Sequence, residues 1–336
     1  MTAKDISFII PIYNRPDEAR ELLESLEALQ GDSSFEIVIV EDGSTITSKN
    51  IVEAFSDTLN ISYFFKENTG PGDSRNYGMR HAKGNYYIIL DSDCVLPQDY
   101  LTTVLNSLNN NYVNCFGGPD AAHSSFSNIQ KAINFAMTSF ISTGGIRGRK
   151  SSVNTFEPRS FNMGISKAAF MATGGFGRIH PGEDPDLSIR LAKLNFNTLL
   201  IPEAFVYHKR RISWAKFYKQ VYKFGSVRPI LNQWHPETKK ITYWFPTLFG
   251  LGFIIAIVLS FFNVLLPIKL VAIYLILTFI MALLSAKNVV VSMYAVFAVL
   301  IQFFGYGYGF IKSTLILAFS TKDVESQFPN FFFSIK

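Results

Sequence analysis

From Ile241 to Ile311 the chain contains no Asp, Glu, Arg or His, and its only charges are Lys269 and Lys287. A water-soluble fold has no use for an apolar run of that length, whereas roughly 20 apolar residues suffice to cross a bilayer. Spans near 243–264, 268–285 and 289–311 therefore predict a transmembrane region at 241–311 with about three helices, the second short but adequate if little tilted. Two spans plus a re-entrant segment is the rival count. An odd number puts the 312–336 tail on the far side of the membrane. The tail's own charges, Lys312, Lys322 and Lys336 against Asp323 and Glu325, do not decide its side.

Residues 1–240 have ordinary globular composition, so the chain divides near residue 240. The net charge of +5 is concentrated just before the first span, where Lys209, Arg210, Arg211, Lys216, Lys219, Lys223, Arg228, Lys239 and Lys240 face a single acid, Glu237. That placement favours anionic lipid headgroups over nucleic acid, and by the positive-inside rule it puts the first 240 residues in the cytosol. The N-terminus has only a short apolar run and no small-residue cleavage site, which argues against a signal peptide. Within 212–240, Trp214, Phe217 or Tyr218, Val221 and Phe224 recur at helical spacing with lysines beside them. A helix in the headgroup plane and a helix packed on its own domain both fit that pattern.

The first 120 residues alternate short β-rich runs with amphipathic helical patterns, the mark of an α/β fold with a mainly parallel sheet. Buried strands are predicted at 6–13, 35–40, 61–65 and 86–90. The first helix starts near Pro16, with Asp17 and Glu18 suited to the positive end of its dipole and Leu22, Leu26 and Leu29 on one face. Cys94 and Cys115 lack metal or redox spacing and read as packing residues. Between 124 and 161 the pattern loosens, most of all at 142–152, and predicts a mobile loop. Arg147, Arg149 or Lys150 would meet phosphate if that loop closes over a substrate, and a plain linker is the alternative.

In a doubly wound sheet ligands bind beyond the carboxyl ends of the strands, and this chain places a polar cluster at each. Strand one ends in Pro11-Ile-Tyr13-Asn14-Arg15, strand two in Glu41-Asp42-Gly43-Ser44, strand three in Asn68-Thr-Gly70-Pro-Gly72, and strand four in Asp91-Ser92-Asp93. Two carboxylates one residue apart after a buried strand suit a hard divalent cation, Mg²⁺ or Mn²⁺, bridging to a diphosphate.

In this order and spacing, over residues 6–95, the motifs P-x-Y-N, V-[ED]-D-G-S, N-x-G-x-x-x-x-R-N and D-x-D resemble glycosyltransferase family 2 with its Rossmann-like GT-A fold. The resemblance implies that Pro11, Tyr13, Glu41 and Asp42 surround the nucleobase and ribose of a nucleotide sugar, with Asn14, Asn68, Gly70 and Ser92 in the same donor site. Arg75 would lie near the base or diphosphate, and Asp91 and Asp93 would hold ribose and metal. His208 would approach the metal or diphosphate, a packing histidine being the alternative.

Farther on, Gly182-Glu183-Asp184-x-Asp186-Leu187-x-x-Arg190-Leu191 is similar to the family's acceptor-side motif. Asp184 is then the general base that deprotonates the acceptor hydroxyl, with Glu183 orienting the acceptor. Asp184 followed by Pro185 also reads as a helix N-cap with proline at the first position. Gln220-x-x-Lys223-Phe224 stands where processive members carry Q-x-x-R-W. Its substitutions imply single-sugar transfer, with Arg190, Gln220 and Lys223 on the acceptor or diphosphate side.

The expectation is an inverting transferase, multi-pass in the membrane, that moves one sugar from a nucleotide sugar, a UDP-sugar by preference. Its acceptor would be lipid-linked or membrane-proximal, in cell-envelope glycan biosynthesis. A polyprenyl-phosphate glycosyltransferase and a catalytically silent membrane subunit are the alternatives.

Overall fold

In the computed structural model of the chain, residues 1–121, 126–143, 156–208 and 213–333 are described. The chain forms two units: Met1–His123 with Lys150–Lys209 and Asn330–Lys336, and Ser124–Arg149 with Arg210–Pro329.

The first unit begins with β1 (Ile6–Ile12), α1 (Pro16–Glu27), β2 (Glu36–Asp42), α2 (Lys49–Ala54), β3 (Ile61–Lys66), α3 (Pro71–His81) and β4 (Tyr86–Leu90). It continues through β5 (Cys94–Val95), α4 (Tyr100–Asn110), β6 (Cys115–Gly117) and β7 (Asp120–Ala121). The helices α5 (Asn128–Thr138) and α6 (Phe140–Thr143) belong to the second unit. The first resumes with β8 (Asn162–Ser166), α7 (Lys167–Thr173), α8 (Glu183–Lys193), β9 (Thr198–Leu200) and β10 (Val206–His208).

Seven strands form one sheet in the order β3-β2-β1-β4-β8-β6-β9, and β5-β10-β7 form a second. The four predicted strands pair in parallel, as βαβ units require. Beyond β4 the sheet becomes mixed, because β8 runs antiparallel between β4 and β6. Alternation along the strands explains the layers. Phe8, Ile10 and Ile12 of β1, with Ile37 and Ile39 of β2, face Leu22, Leu23 and Leu26 of α1 and Leu101 and Val104 of α4. The intervening Ile9, Val38 and Val40 face Met79 of α3, Phe170 of α7 and Leu187 and Leu191 of α8. Both faces are covered, so the strands read as continuous apolar runs. Cys94 and Cys115 are free and buried, as packing residues should be.

Residues 128–138, expected as part of a loop, form α5. The Ser127 hydroxyl accepts from the Gln130 backbone N–H while the Gln130 side chain reaches back, and Ala132, Ile133, Ala136 and Met137 form its buried face. Of the 142–152 stretch only Ser142 and Thr143 are described; Arg147, Arg149 and Lys150 lie outside the described residues.

The second unit adds α9 (Trp214–Trp234), α10 (Phe245–Ser260), α11 (Leu266–Ala286) and α12 (Val289–Phe319). Three segments, Ile241–Ser260, Leu266–Ala286 and Val289–Phe319, are helices long and apolar enough to cross a membrane. Their outward side chains, such as Leu248 at 59% and Leu284 at 74% exposure, would be a severe liability in water and suit lipid. On α9, Phe217 and Val221 are buried in one cluster with Ala298, Val299 and Phe303 of α12, while Lys216, Lys219 and Lys223 stay exposed. A Cβ at Gly225 would collide with the Tyr306 carbonyl, and one at Gly309 with the Tyr222 carbonyl. Small residues let the α9 and α12 backbones touch, the usual device where lipid removes the hydrophobic drive between helices.

Candidate active site

The carboxyl ends of β1, β2, β3 and β4 bring the first four motifs to one edge of the sheet. Asn14 takes a positive φ of 53° and ties two of them together. Its backbone N–H donates to Ser44 Oγ (2.8 Å), and its Oδ1 accepts from the Thr45 and Ile46 amides at 2.8 and 3.0 Å. Pro11 is half-buried, pairing with Val40, and Tyr13 is 52% exposed at the rim.

The two acids after β2 take different roles. Glu41 is wholly buried and accepts from the Ser48 amide (2.9 Å), the Tyr63 hydroxyl (3.3 Å) and the Ser44 hydroxyl, so its carboxylate organises the loop. Asp42 is 4% exposed and accepts from Lys66 Nζ (2.6 Å) and from the Thr69 and Gly70 amides (3.0 Å each). A carboxylate offers about four acceptor positions, so one remains for a ligand. Asn68 Nδ2 donates to the Asp42 carbonyl at 3.0 Å, closing the loop on itself. Lys66, unassigned from sequence, is the last residue of β3, and that position was the available signal.

Ser92 is buried, while the Asp91 side chain is 32% exposed and that of Asp93 13%. Each carboxylate has an arginine partner: Arg75 reaches Asp91 at 2.8 Å and Arg15 reaches Asp93 at 2.7 Å. Among the described residues no three His, Cys, Asp or Glu side chains form a metal-holding group. The donor set nonetheless fits a hard cation, since two carboxylates separated by one residue offer anionic oxygens and leave positions for phosphate. His208 closes β10 in register with Cys94, next to Asp93, and its side chain lies outside what is described.

Arg75 joins the two halves of the site. Its side chain is 4% exposed on α3, lies over the Phe176 ring, and reaches Glu183 at 3.3 Å as well as Asp91. Glu183 also meets His180 Nδ1 at 2.9 Å. Burial pulls the Glu183 carboxyl upward, but His180 and Arg75 outweigh it and hold it below the usual range. Its neighbour goes the other way. Burial first, and the Glu183 carboxylate second, raise Asp184 to about 6, against the opposing pull of Arg75 and Arg159. Asp184 Oδ2 accepts from the Ser160 amide at 3.1 Å, and Oδ1 is enclosed with no hydrogen-bond partner. An orphaned carboxylate oxygen with a raised pKa beside a cluster of ionised groups is the profile of a general base.

The helix that carries this pair starts two residues earlier than the sequence predicts. Gly182, at φ 129°, is its N-cap, so Asp184 lies inside the first turn and Pro185 follows where no backbone N–H is required. Arg190 turns away from this cluster. It pairs with Asp186 (2.7 Å) and donates to the Thr173 and Gly175 carbonyls (2.7 Å each), closing the end of α7. Gln220, half-buried, and Lys223, exposed, lie on α9 in the second unit.

Residues 7–173 match the family model of glycosyl transferase family 2. Similar curated proteins include an uncharacterised glycosyltransferase of Rickettsia felis, 38% identical over 106 residues, covering 32% of this chain and 17% of that protein. Glycosyltransferase GlyA of Streptococcus pneumoniae is 38% identical over 104 residues, 31% of this chain and 15% of that one. The GalNAc(5)-diNAcBac-PP-undecaprenol beta-1,3-glucosyltransferase of Campylobacter jejuni is 30% identical over 115 residues, 33% and 37% of the two chains. The matched stretch thus spans well under half the length of each of these relatives. Among solved structures, the mannosyltransferase PcManGT from Pyrobaculum calidifontis, in complex with GDP-Man and Mn²⁺, superposes with a TM-score of 0.58 at 15% identity. It covers 95% of this chain and 88% of that one, and shows the shared fold. With its motifs at the strand ends of a mixed, Rossmann-like GT-A sheet and, later in the chain, apolar helices that could span a membrane, the chain belongs to glycosyl transferase family 2.

Proposed function

We propose that this chain transfers a single sugar, with inversion, from a nucleotide sugar to a lipid-linked or membrane-proximal acceptor at the cytosolic face of the membrane. The observation that carries the reading is the buried Arg75, which bridges Asp91 on the donor side to Glu183 beside Asp184. The catalytic domain would comprise 1–240, followed by the 241–311 membrane region and the 312–336 tail. The Campylobacter jejuni relative is named for an undecaprenol-linked acceptor, which supports a lipid-linked substrate here. A UDP-sugar is the donor preferred from the sequence.

In this scheme Pro11, Tyr13, Asn14, Asp42, Asn68 and Gly70 shape the nucleotide side. Asp91 and Asp93 would hold Mg²⁺ or Mn²⁺, as the Mn²⁺ complex of the fold relative suggests. The bound cation supplies positive charge for the departing nucleoside diphosphate. Asp184 takes the acceptor proton as the acceptor oxygen attacks the anomeric carbon. Burial first, and the Glu183 carboxylate kept ionised by His180 and Arg75 second, hold the Asp184 pKa up, which makes it a stronger base than an ordinary aspartate. Arg75 stays protonated throughout, because Asp91 and Glu183 offset its burial.

A nucleotide-release assay on detergent-purified protein with Mn²⁺, screening UDP- and GDP-sugars with and without lipid extract, tests the reading. Metal-dependent release of one nucleotide supports it, and no release from any donor by folded protein sinks it.

A pH profile follows from Asp184. The base form exists only above its pKa, so with a value of about 6 kcat/KM should rise about tenfold between pH 5 and pH 7 and then level off. An ordinary aspartate would give a flat profile over that range. A profile already flat from pH 4.5 upward would remove Asp184 as the titrating group.

A further inference from the structure

From Asn330 onward the chain belongs to the first unit again. Phe332 forms an antiparallel bridge with Ile179, and the His180 amide donates to the Phe331 carbonyl at 2.7 Å. The Arg178 guanidinium meets the Phe333 carbonyl at 3.4 Å. The Phe333 ring then lies directly on Gly70, where a Cβ would collide with it. Gly70 takes a φ of 93°, which also favours glycine. On its other side the same ring stands 5.9 Å from the His180 ring.

These contacts close a circuit. Gly70 caps α3, and α3 carries Arg75; Arg75 meets Glu183, Glu183 meets His180, His180 abuts Phe333, and Phe333 covers Gly70. Gly70 and Thr69 supply the two amides that hold Asp42, and Glu183 stands next to Asp184 in the first turn of α8. Without Phe333 the Asn68–Gly70 loop and the turn before α8 would still be joined through α3, whose Arg75 reaches Glu183 and whose Asn76 side chain bonds the Phe176 backbone, but not by a direct contact of this ring. Phe332 and Phe333 also wall a cleft of about 650 Å³ together with Gly43, Asn68 and Thr69, beside Asp42.

We propose that Phe333 is a positioning residue, a clamp that holds the Asn68–Gly70 loop and the His180–Glu183 turn in one frame. It thereby keeps the nucleotide side and the acceptor side of the site in register. The assignment of those two sides rests on the function proposed above, and the clamp itself rests on the contacts alone. A ring in that position limits two loop motions at once. A displacement of about 1 Å at either loop is enough to cost up to 10²-fold in rate.

The test uses the full chain in detergent, comparing wild type with Phe333→Ala and Phe333→Leu. Two readouts are taken: hydrogen exchange of peptides covering Thr69–Gly70 and His180–Glu183, and nucleotide-release kinetics. Phe333→Ala is expected to speed exchange at both peptides and to lower kcat/KM about tenfold or more. The loss should be shared between a raised donor KM and a lowered kcat, and the leucine variant should recover part of it. If the alanine variant does not fold, the leucine variant carries both readouts in smaller measure. Faster exchange confined to residues 330–333 overturns the clamp. Wild type that turns over normally while Phe333→Ala matches it in exchange and in both kinetic constants sinks the clamp and leaves the transferase standing. Absence of turnover in wild type, with faster exchange at both peptides in the variant, does the reverse.

Discussion

Replacing Asp184 with Asn is expected to lower turnover by about 10²–10⁴-fold, the usual cost of a lost general base, with folding and donor binding intact. The substitution keeps shape and the hydrogen bond from the Ser160 amide, because an asparagine oxygen accepts it as well as Oδ2 does. What it removes is the ability to take a proton. The enclosed Oδ1 has no competing partner to lose, so little structural cost should accompany the change. The measurement is nucleotide release at saturating donor and acceptor, beside calorimetric binding of the nucleotide. Strong activity surviving in Asp184→Asn would favour the polyprenyl-phosphate alternative, whose acceptor is already an anion and needs no base.

The second large effect falls on stability. Arg75→Met removes the cation from a site where the Glu183 side chain is 7% exposed and Arg75 itself 4%. Breaking a buried pair by deleting one partner leaves an uncompensated charge and costs about 3–5 kcal/mol. The Asp91 contact contributes less of this, because water reaches that carboxylate. His180 stays as a partner for Glu183, which keeps the loss toward the lower end. Unfolding in detergent, followed by denaturant or heat, reads the change. Adding Glu183→Gln to Arg75→Met should recover part of the loss, since it removes the stranded charge. Arg75→Met also moves the rate profile, because the arginine's field opposes the rise in the Asp184 pKa. Without it the carboxyl titrates higher, and the rising limb of the profile shifts toward alkaline pH.

The parallel strands and their motifs were legible because two local signals agreed: continuous β-branched runs, then polar clusters where the runs stop. Alternation placed Ile9 and Ile10 on opposite faces, and helices wait on both. Other features were not local. Glu41 and Asp42 are equal in sequence, and only the fold turns one toward the Ser44 and Ser48 loop and the other toward Lys66 and Gly70. The start of α8 was misplaced because proline is tolerated throughout the first helical turn, so Pro185 did not fix the cap at Asp184. The α5 helix was hidden by surrounding serines and glycines, although Ser127 and Gln130 had the spacing of a capping box. Arg190 sits in a functional motif yet serves the end of α7. The partnership of His180 with Glu183 was within reach three residues apart, whereas that of Phe333 with Gly70 spans most of the chain.

That last contact constrains how the chain threads its membrane. Residues 1–123, 150–209 and 330–336 belong to one folded unit, so in a bilayer both ends of the 210–329 segment would lie on the same side. A path that leaves a bilayer face and comes back to it makes an even number of passages. Three helices qualify by length and apolarity, and three single passages would strand Phe331–Phe333 across the bilayer from His180. In a bilayer, parity would then give one of the three a different course, entering and leaving by the same leaflet or lying along it, or else it would enlist a further segment as a fourth passage.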